Sequence, residues 1–144
     1  RKAGNPRTYG QNPWVNWADE APYPSSALGD DRTYRNFRKT TDLLSASDIF
    51  VHGEIHPKAI CRPFFGVNMA TASGGAYHVP GNYHGRSSNF SFADGHAESH
   101  RWVSGTFNNP TSNVDHHGAH AGGYPGTASR PDMTWLGEHT TVRR

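Results

Sequence analysis

The sequence predicts a mainly β domain (α+β at most), with an antiparallel sheet, long irregular loops and one or two short helices. Two stretches alternate apolar and polar residues with the period of a strand, and the dipeptide Asp94-Gly95 within the second is typical of a tight turn. The 16 glycines and 10 prolines divide the rest of the chain into short segments. Residues 1–144 have the length of a single domain.

The amino-terminal part of the chain is predicted to contain more strand than helix. Residues 1–30 are interpreted as an irregular arm with one short strand. The best helical candidate, residues 41–46, covers two turns at most. Residues 48–57 alternate and predict a strand with two different faces. One face is expected to carry Ile49, Val51 and Ile55, and the other Phe50, His52, Glu54 and His56.

A β-hairpin is predicted over residues 88–102. Two phenylalanines alternate with polar residues before a turn at 93–95, and a second alternating stretch follows the turn. Residues 106–130 are rich in His, Gly, Asn and Pro and predict a long loop. Residues 131–136 are interpreted as a last short element.

Composition favours a folded domain over a disordered one. The chain is polar, with 33% hydrophobic residues, but its net charge is only +2, and 7 Phe, 6 Tyr and 4 Trp supply an aromatic core. The apolar runs are too short for a membrane span. The 14 Lys and Arg are scattered, so nucleic-acid binding is not expected. Cys61 is the single cysteine, which excludes an internal disulfide and a four-thiolate zinc site.

Histidine and glutamate recur in the same pattern on two predicted strands. The segments are His52-Gly-Glu54-Ile-His56 and His96-Ala-Glu98-Ser-His100. Positions i, i+2 and i+4 of a strand project from one face, so each segment can present two imidazoles and a carboxylate to a divalent metal such as zinc or copper. The alternative is that both segments are the solvated faces of their strands. If they form a metal site, Glu98 or Glu54 is the candidate general base.

Two further features offer ligands to a metal. The side chain of Asp94 is expected either to bond backbone N–H groups of its own turn or to bind Ca²⁺. His116, His117 and His120 lie close together in the loop, where they can bind a functional metal or an adventitious one.

Four ordered blocks of sequence resemble one known family. His84 precedes Asp94-Gly95 by nine intervening residues, which is similar to the H-x9-DG signature of prepilin-type proteins of planctomycetes, verrucomicrobia and related bacteria. Residues 7–14 are similar to the family's R-S-Y-x-x-N opening, and residues 46–57 to its S-x-x-F-x-F-x-E-x-H-P strand. Residues 132–136 are similar to its closing D-x-x-W-L.

The resemblance implies the globular, β-rich part of a pilin-like protein without the long amino-terminal helix that family members carry. It implies an extracellular or cell-surface structural subunit of a filament or secretion pseudopilus, whose partners are its own copies or other pilin-like subunits. His84 is expected to donate to the turn at Asp94. The sharper alternative is that these two residues bind a metal with Glu54, His56 and His96.

Two other functions stay open at this point. One is a small metal-dependent hydrolase that uses the His, Glu and Asp residues above, with zinc, copper or calcium as the cofactor. The other is a carbohydrate- or surface-binding module, in which aromatic side chains such as Trp14 and Tyr83 stack on sugars. A shared metal site requires that the strands at 49–56 and 96–102 be neighbours.

Overall fold

The computed structural model describes residues 8–16, 33–57, 59–60, 64–65, 67, 69, 76, 78–108 and 130–144. These residues form a four-stranded antiparallel sheet with helices, which confirms the predicted mainly β or α+β class. The strands are β1 (Tyr9–Gln11), β2 (Phe50–Glu54), β3 (Ser87–Phe92) and β4 (Ala97–Arg101), in that order across the sheet. The helices are a 3-10 turn (Thr40–Asp42), α1 (Gly105–Asn108) and α2 (Arg130–Thr140). Within the described ranges, no helix is long and apolar enough to cross a membrane.

The predicted hairpin is confirmed as β3 and β4. The two strands pair in continuous register from Ser87 opposite Arg101 to Ser91 opposite Ala97. Gly95 closes the turn with a φ of 96°, in the left-handed region that favours glycine. The alternation of β3 is also as predicted, because Ser88, Phe90 and Phe92 are buried while the residues between them are half-buried.

The predicted alternation of β2 is wrong in detail. An irregularity in the pairing with β3 lies between Phe50 and His52, so the two faces exchange along the strand. As a result, Phe50 and Ile55 pack in the same core cluster, although the simple alternation assigned them to opposite faces. Glu54 is buried and only His52 is exposed.

The first strand lies within the arm predicted at 1–30, much of which is outside the described residues. β1 pairs with β2, with Tyr9 opposite Glu54, and Phe65 donates its backbone N–H to Gln11. Directly after β1, the buried Asn12 donates to the carbonyls of Phe50 and Thr140. Asn12 thereby ties β2 to the carboxyl-terminal end of α2.

The helices differ from the prediction. Only the 3-10 turn forms at the predicted 41–46 helix, and residues 44–48 are turns. The longest described helix is α2, whereas the sequence predicts only a short element at 131–136. Its buried face consists of Asp132, Leu136 and Thr140, spaced four residues apart. Because two of the three are polar, the sequence shows no apolar periodicity there.

The described core is aromatic, as composition predicts, and consists of two clusters. The larger lies between the sheet and α2, and the smaller surrounds Trp14. Trp14 is fully buried and is therefore a core residue rather than a surface one. The buried members of the larger cluster are Phe50, Ile55, Ala59, Phe65, Val67, Ala76, Val79, Phe90, Phe92, Trp102, Phe107 and Leu136, and those of the smaller are Trp14, Phe37, Ile49 and Phe64. Cys61 lies outside the described residues.

Candidate functional site

The two His-x-Glu-x-His segments do not lie on neighbouring strands. β3 lies between β2 and β4, so the adjacency required for a shared site is not met. Among the residues described, no group of three or more His, Cys, Asp or Glu is arranged to hold a metal ion. The loop histidines His116, His117 and His120 lie outside the described ranges. A divalent metal, whether zinc, copper or calcium, therefore stays a prediction.

The most enclosed of the predicted site residues is Glu54, at the end of β2. The chain returns beside it at residues 79–81: His56 donates its N–H to the carbonyl of Val79, and Gly81 donates to that of Glu54. This pairing covers Glu54, which is 5% exposed. A Cβ atom at Gly81 would lie 2.7 Å from Glu54 Cγ, so the covering segment approaches this closely only because residue 81 is glycine.

In the part of the chain that the structure describes, two groups contact the Glu54 carboxylate. The backbone N–H of Asn89, on β3, donates to Oε2 at 3.2 Å. The Nε2 atom of His84 lies 3.4 Å from Oε1, and its imidazole is more than half exposed. We call Glu54, Gly81, Tyr83, His84 and Asn89 the Glu54 corner. It joins β2, β3 and the segment that precedes β3.

Tyr83 forms the solvent-facing side of the Glu54 corner. Tyr83 is 51% exposed, and its ring stacks on the ring of His56 at a centroid distance of 5.6 Å. Partial burial and, to a smaller extent, the negative charge of Glu54 raise the pKa of Tyr83, so its hydroxyl remains protonated at neutral pH. In chemical terms the corner offers one carboxylate, one accessible imidazole and a neutral phenol.

Asp94 has the local role expected of an Asp-Gly turn. Its Oδ1 accepts the backbone N–H of His96 at 3.1 Å and contacts His96 Nδ1 at 2.6 Å. The bond from the His96 backbone, and then that from its side chain, lower the pKa of Asp94. The His96 ring stacks on Phe92. The predicted contact from His84 to this turn is wrong, because His84 precedes β3 and contacts Glu54, whereas Asp94 follows β3.

The histidine at the end of the second segment packs into the core side of the sheet. His100 stacks on Trp135 of α2 with ring centroids 3.9 Å apart, and it meets Trp102 edge-on at 4.7 Å. His139, one turn further along α2, stacks on the same Trp135 at 4.3 Å. We call His100, Trp102, Trp135 and His139 the imidazole–indole stack. Burial lowers the pKa of His100 more than the nearby carboxylate of Asp132 raises it.

Asp132 anchors α2 to the end of β4. It is 1% exposed and accepts backbone N–H groups from Val103 at 3.1 Å and Ser104 at 2.8 Å. Its Oδ1 also lies 3.4 Å from His100 Nε2. Val103 and Ser104 lie between β4 and α1, and His100 lies on β4, so the carboxylate connects the end of β4 and the residues after it to α2.

The remaining predicted site residues lie apart from these clusters. His52 is exposed, and its Nδ1 lies 3.2 Å from Ser91 Oγ on β3. Glu98 is exposed on β4. The solvated-face interpretation describes these two side chains well, whereas Glu54 and His100 are enclosed.

Three residues of these contacts are not predicted from the sequence. Gly81 and Asn89 meet Glu54 only through tertiary pairing. His139 is not among the predicted site residues either. The signal that was available is the spacing of Trp135 and His139, because residues at i and i+4 of a helix are neighbours.

The chain was compared with protein-family models, with curated proteins and with solved structures, and it matches none of them.

Proposed function

We propose that the chain is an extracellular or cell-surface structural subunit that works by assembly, in a pilin-like filament or a secretion pseudopilus. One observation carries the proposal: the buried carboxylates of Glu54 and Asp132 accept backbone N–H groups from other segments of the described chain. Carboxylates in such bonds hold a framework together. A subunit that acts through its surface depends on a framework of this kind.

The positions of the resembling blocks support the same role. The second block contributes Glu54, and the H-x9-DG block contributes His84, which contacts it, together with Asp94, which holds the hairpin turn. The closing block contributes Asp132 and Trp135, which fix α2 against β4. These three blocks thus supply side chains that connect one segment of the fold to another, namely Glu54 with His84, and Asp132 with Trp135.

The metal-dependent hydrolase has less support from the described residues. Catalysis on a metal-bound water needs ligands and a general base that converge on one point. Glu98 and His52 are exposed on strands separated by β3, and the carboxylate of Glu54 is engaged by Asn89 and His84. For a carbohydrate-binding module, the described half-exposed aromatic side chains are those of Tyr9 and Tyr83.

Negative-stain electron microscopy over a micromolar concentration series tests assembly directly. We expect regular filaments or tubes, and sedimentation velocity should show large species whose fraction rises with concentration. A sample unfolded in urea serves as the control, because assembly through folded surfaces must disappear with the fold. Discrete particles of one size at every concentration would contradict assembly by this chain.

A further inference from the structure

A cavity of about 430 Å³ has three arginines and two other polar residues among its described lining. These described lining residues are Arg35, Asn36, Arg38, Asp42 and Arg144. None of them belongs to the Glu54 corner or to the imidazole–indole stack, and none was singled out as a site residue by sequence. A cavity of this size falls within the range of roughly 300–1,000 Å³ that small-molecule sites occupy.

Backbone pairing between distant parts of the chain builds this cavity. Arg35 donates its N–H to the carbonyl of Val142 at 2.9 Å, and Arg144 donates to that of Thr33 at 3.0 Å. Thr141 Oγ1 donates to the carbonyl of Arg35 at 2.5 Å. Residues 33–35 and 142–144 are therefore held antiparallel, with Tyr34 opposite Arg143, although the two segments are far apart in sequence.

Among the described lining residues, positive charge exceeds negative charge. Three guanidinium groups and one carboxylate give these described side chains a net charge of two positive units. Asp42 accepts the backbone N–H groups of Arg38 and Lys39 through Oδ2. Those bonds, and then the charge of Arg35, lower its pKa and keep it ionised. Arg35 Nε is buried and has no hydrogen-bond partner within the described part of the chain.

The chemistry of the lining selects a ligand class. Guanidinium groups present planar pairs of donors that match phosphate and other oxyanions, and they form charge-assisted hydrogen bonds. The cavity is larger than a bare oxyanion requires, and the amide of Asn36 and the carboxylate of Asp42 are groups that hydrogen-bond hydroxyls. We propose that this cavity binds a small molecule that carries a phosphate or sulfate monoester on a polar body such as a sugar. The proposal does not depend on assembly.

Isothermal titration calorimetry with glucose 6-phosphate and glucose 6-sulfate tests the proposal. We expect saturable binding of at least one ester, and no binding of glucose. Inorganic phosphate should bind more weakly than the esters. The stronger of the two esters identifies which oxyanion the cavity takes.

Single variants locate the binding. R38Q and R144Q change exposed side chains of the lining, and each should weaken binding by about tenfold, the size of one lost charge-assisted hydrogen bond. R101Q is the matched control, because it removes the same charge from an exposed position on β4. It should bind as the parent does.

Three outcomes overturn the proposal. The first is no saturable binding of either ester by the parent chain. The second is an equal loss of affinity in R101Q and in the two lining variants, which would mean attraction to net charge alone. The third is inorganic phosphate binding as tightly as both esters, which would mean that the cavity does not recognise a polar body attached to the oxyanion. The parent titrations decide the first and third, so they hold even if a variant folds poorly.

Discussion

The two His-x-Glu-x-His segments have the same spacing, but their glutamates have opposite surroundings. Glu54, the glutamate of the first segment, is 5% exposed and accepts a backbone N–H from β3. Glu98, the glutamate of the second, is exposed. The last histidines of the two segments are both half-buried, but His56 stacks on the half-exposed Tyr83 whereas His100 stacks on Trp135 of α2.

The difference shows that the place of a strand in the sheet decides what its polar residues do. β2 lies between β1 and β3, and residues 79–81 pair beside its end, so the side chain of Glu54 is covered. β4 is at the edge of the described sheet, and charged side chains on an edge strand discourage further pairing. His100 is enclosed because α2 packs against that end of β4.

The largest expected effect separates the two glutamates. E54A removes the acceptor for the Asn89 N–H and leaves a space under Gly81, so we expect it to lower the free energy of unfolding by roughly 2–4 kcal/mol. E98A changes an exposed side chain and should stay within about 0.5 kcal/mol of the parent. Urea denaturation of the two variants and the parent measures both values.

A conservative variant shows which part of the Glu54 effect is the hydrogen bond. E54Q keeps an amide oxygen that accepts from Asn89, so it should be less destabilised than E54A. If E54A and E98A lower the free energy of unfolding equally, the contrast between covered and exposed glutamates is broken.

The next largest effect tests how closely residues 79–81 pack over the side chain of Glu54. G81A places a methyl group 2.7 Å from Glu54 Cγ, and overpacking of this kind costs about 1–3 kcal/mol. Gly105 is the matched control, because a Cβ there meets no atom within 4 Å. G105A should therefore leave the thermal midpoint near that of the parent. A midpoint for G81A equal to that of G105A would mean that the 79–81 segment is free to move away from β2.

The parts of this fold that were predictable are those whose signals are local. The hairpin of β3 and β4 follows from alternation and from Asp94-Gly95, which are contiguous in sequence, and so does the hydrogen bonding of Asp94 within its turn. α2 was not recognised as a long helix, because its buried face contains Asp132 and Thr140 as well as Leu136.

The contacts that connect distant segments of the chain were not predictable, for a different physical reason. Glu54 is covered by a segment that pairs with β2 from about 25 residues away, and the arginine cavity needs residues 33–35 beside 142–144. Such contacts form only when the whole chain is folded, and periodicity within one segment carries no information about them. The sequence analysis grouped His84 with Glu54 only as one alternative, within a metal site, and no local signal placed Gly81 and Asn89 beside Glu54.

The smallest expected effect compares His100 with His52 through the pH dependence of stability. Burial beside Trp135 and Trp102 lowers the pKa of His100 below its ordinary value of 6.5, although Asp132 and Glu98 act in the opposite direction. The unfolded chain therefore takes up this proton at a higher pH than the folded chain does. The stability that neutral His100 contributes is present above the unfolded pKa, and it is lost as the pH falls through that value towards the lower folded one.

Urea midpoints of the parent, H100Q and H52Q at about pH 7.5 and about pH 5.5 test this sign, since the two values lie on either side of the ordinary pKa of histidine. H100Q removes the titrating group, so its midpoint should fall less on acidification than that of the parent. H52Q removes an exposed imidazole of the other segment and should follow the parent. An acid-induced fall that is the same in H100Q and in the parent would assign the pH dependence elsewhere, and the enclosure of His100 would then have no consequence for stability. If H52Q alone reduced the fall, the roles of the two segments would be reversed, and the place of a strand in the sheet would not explain them.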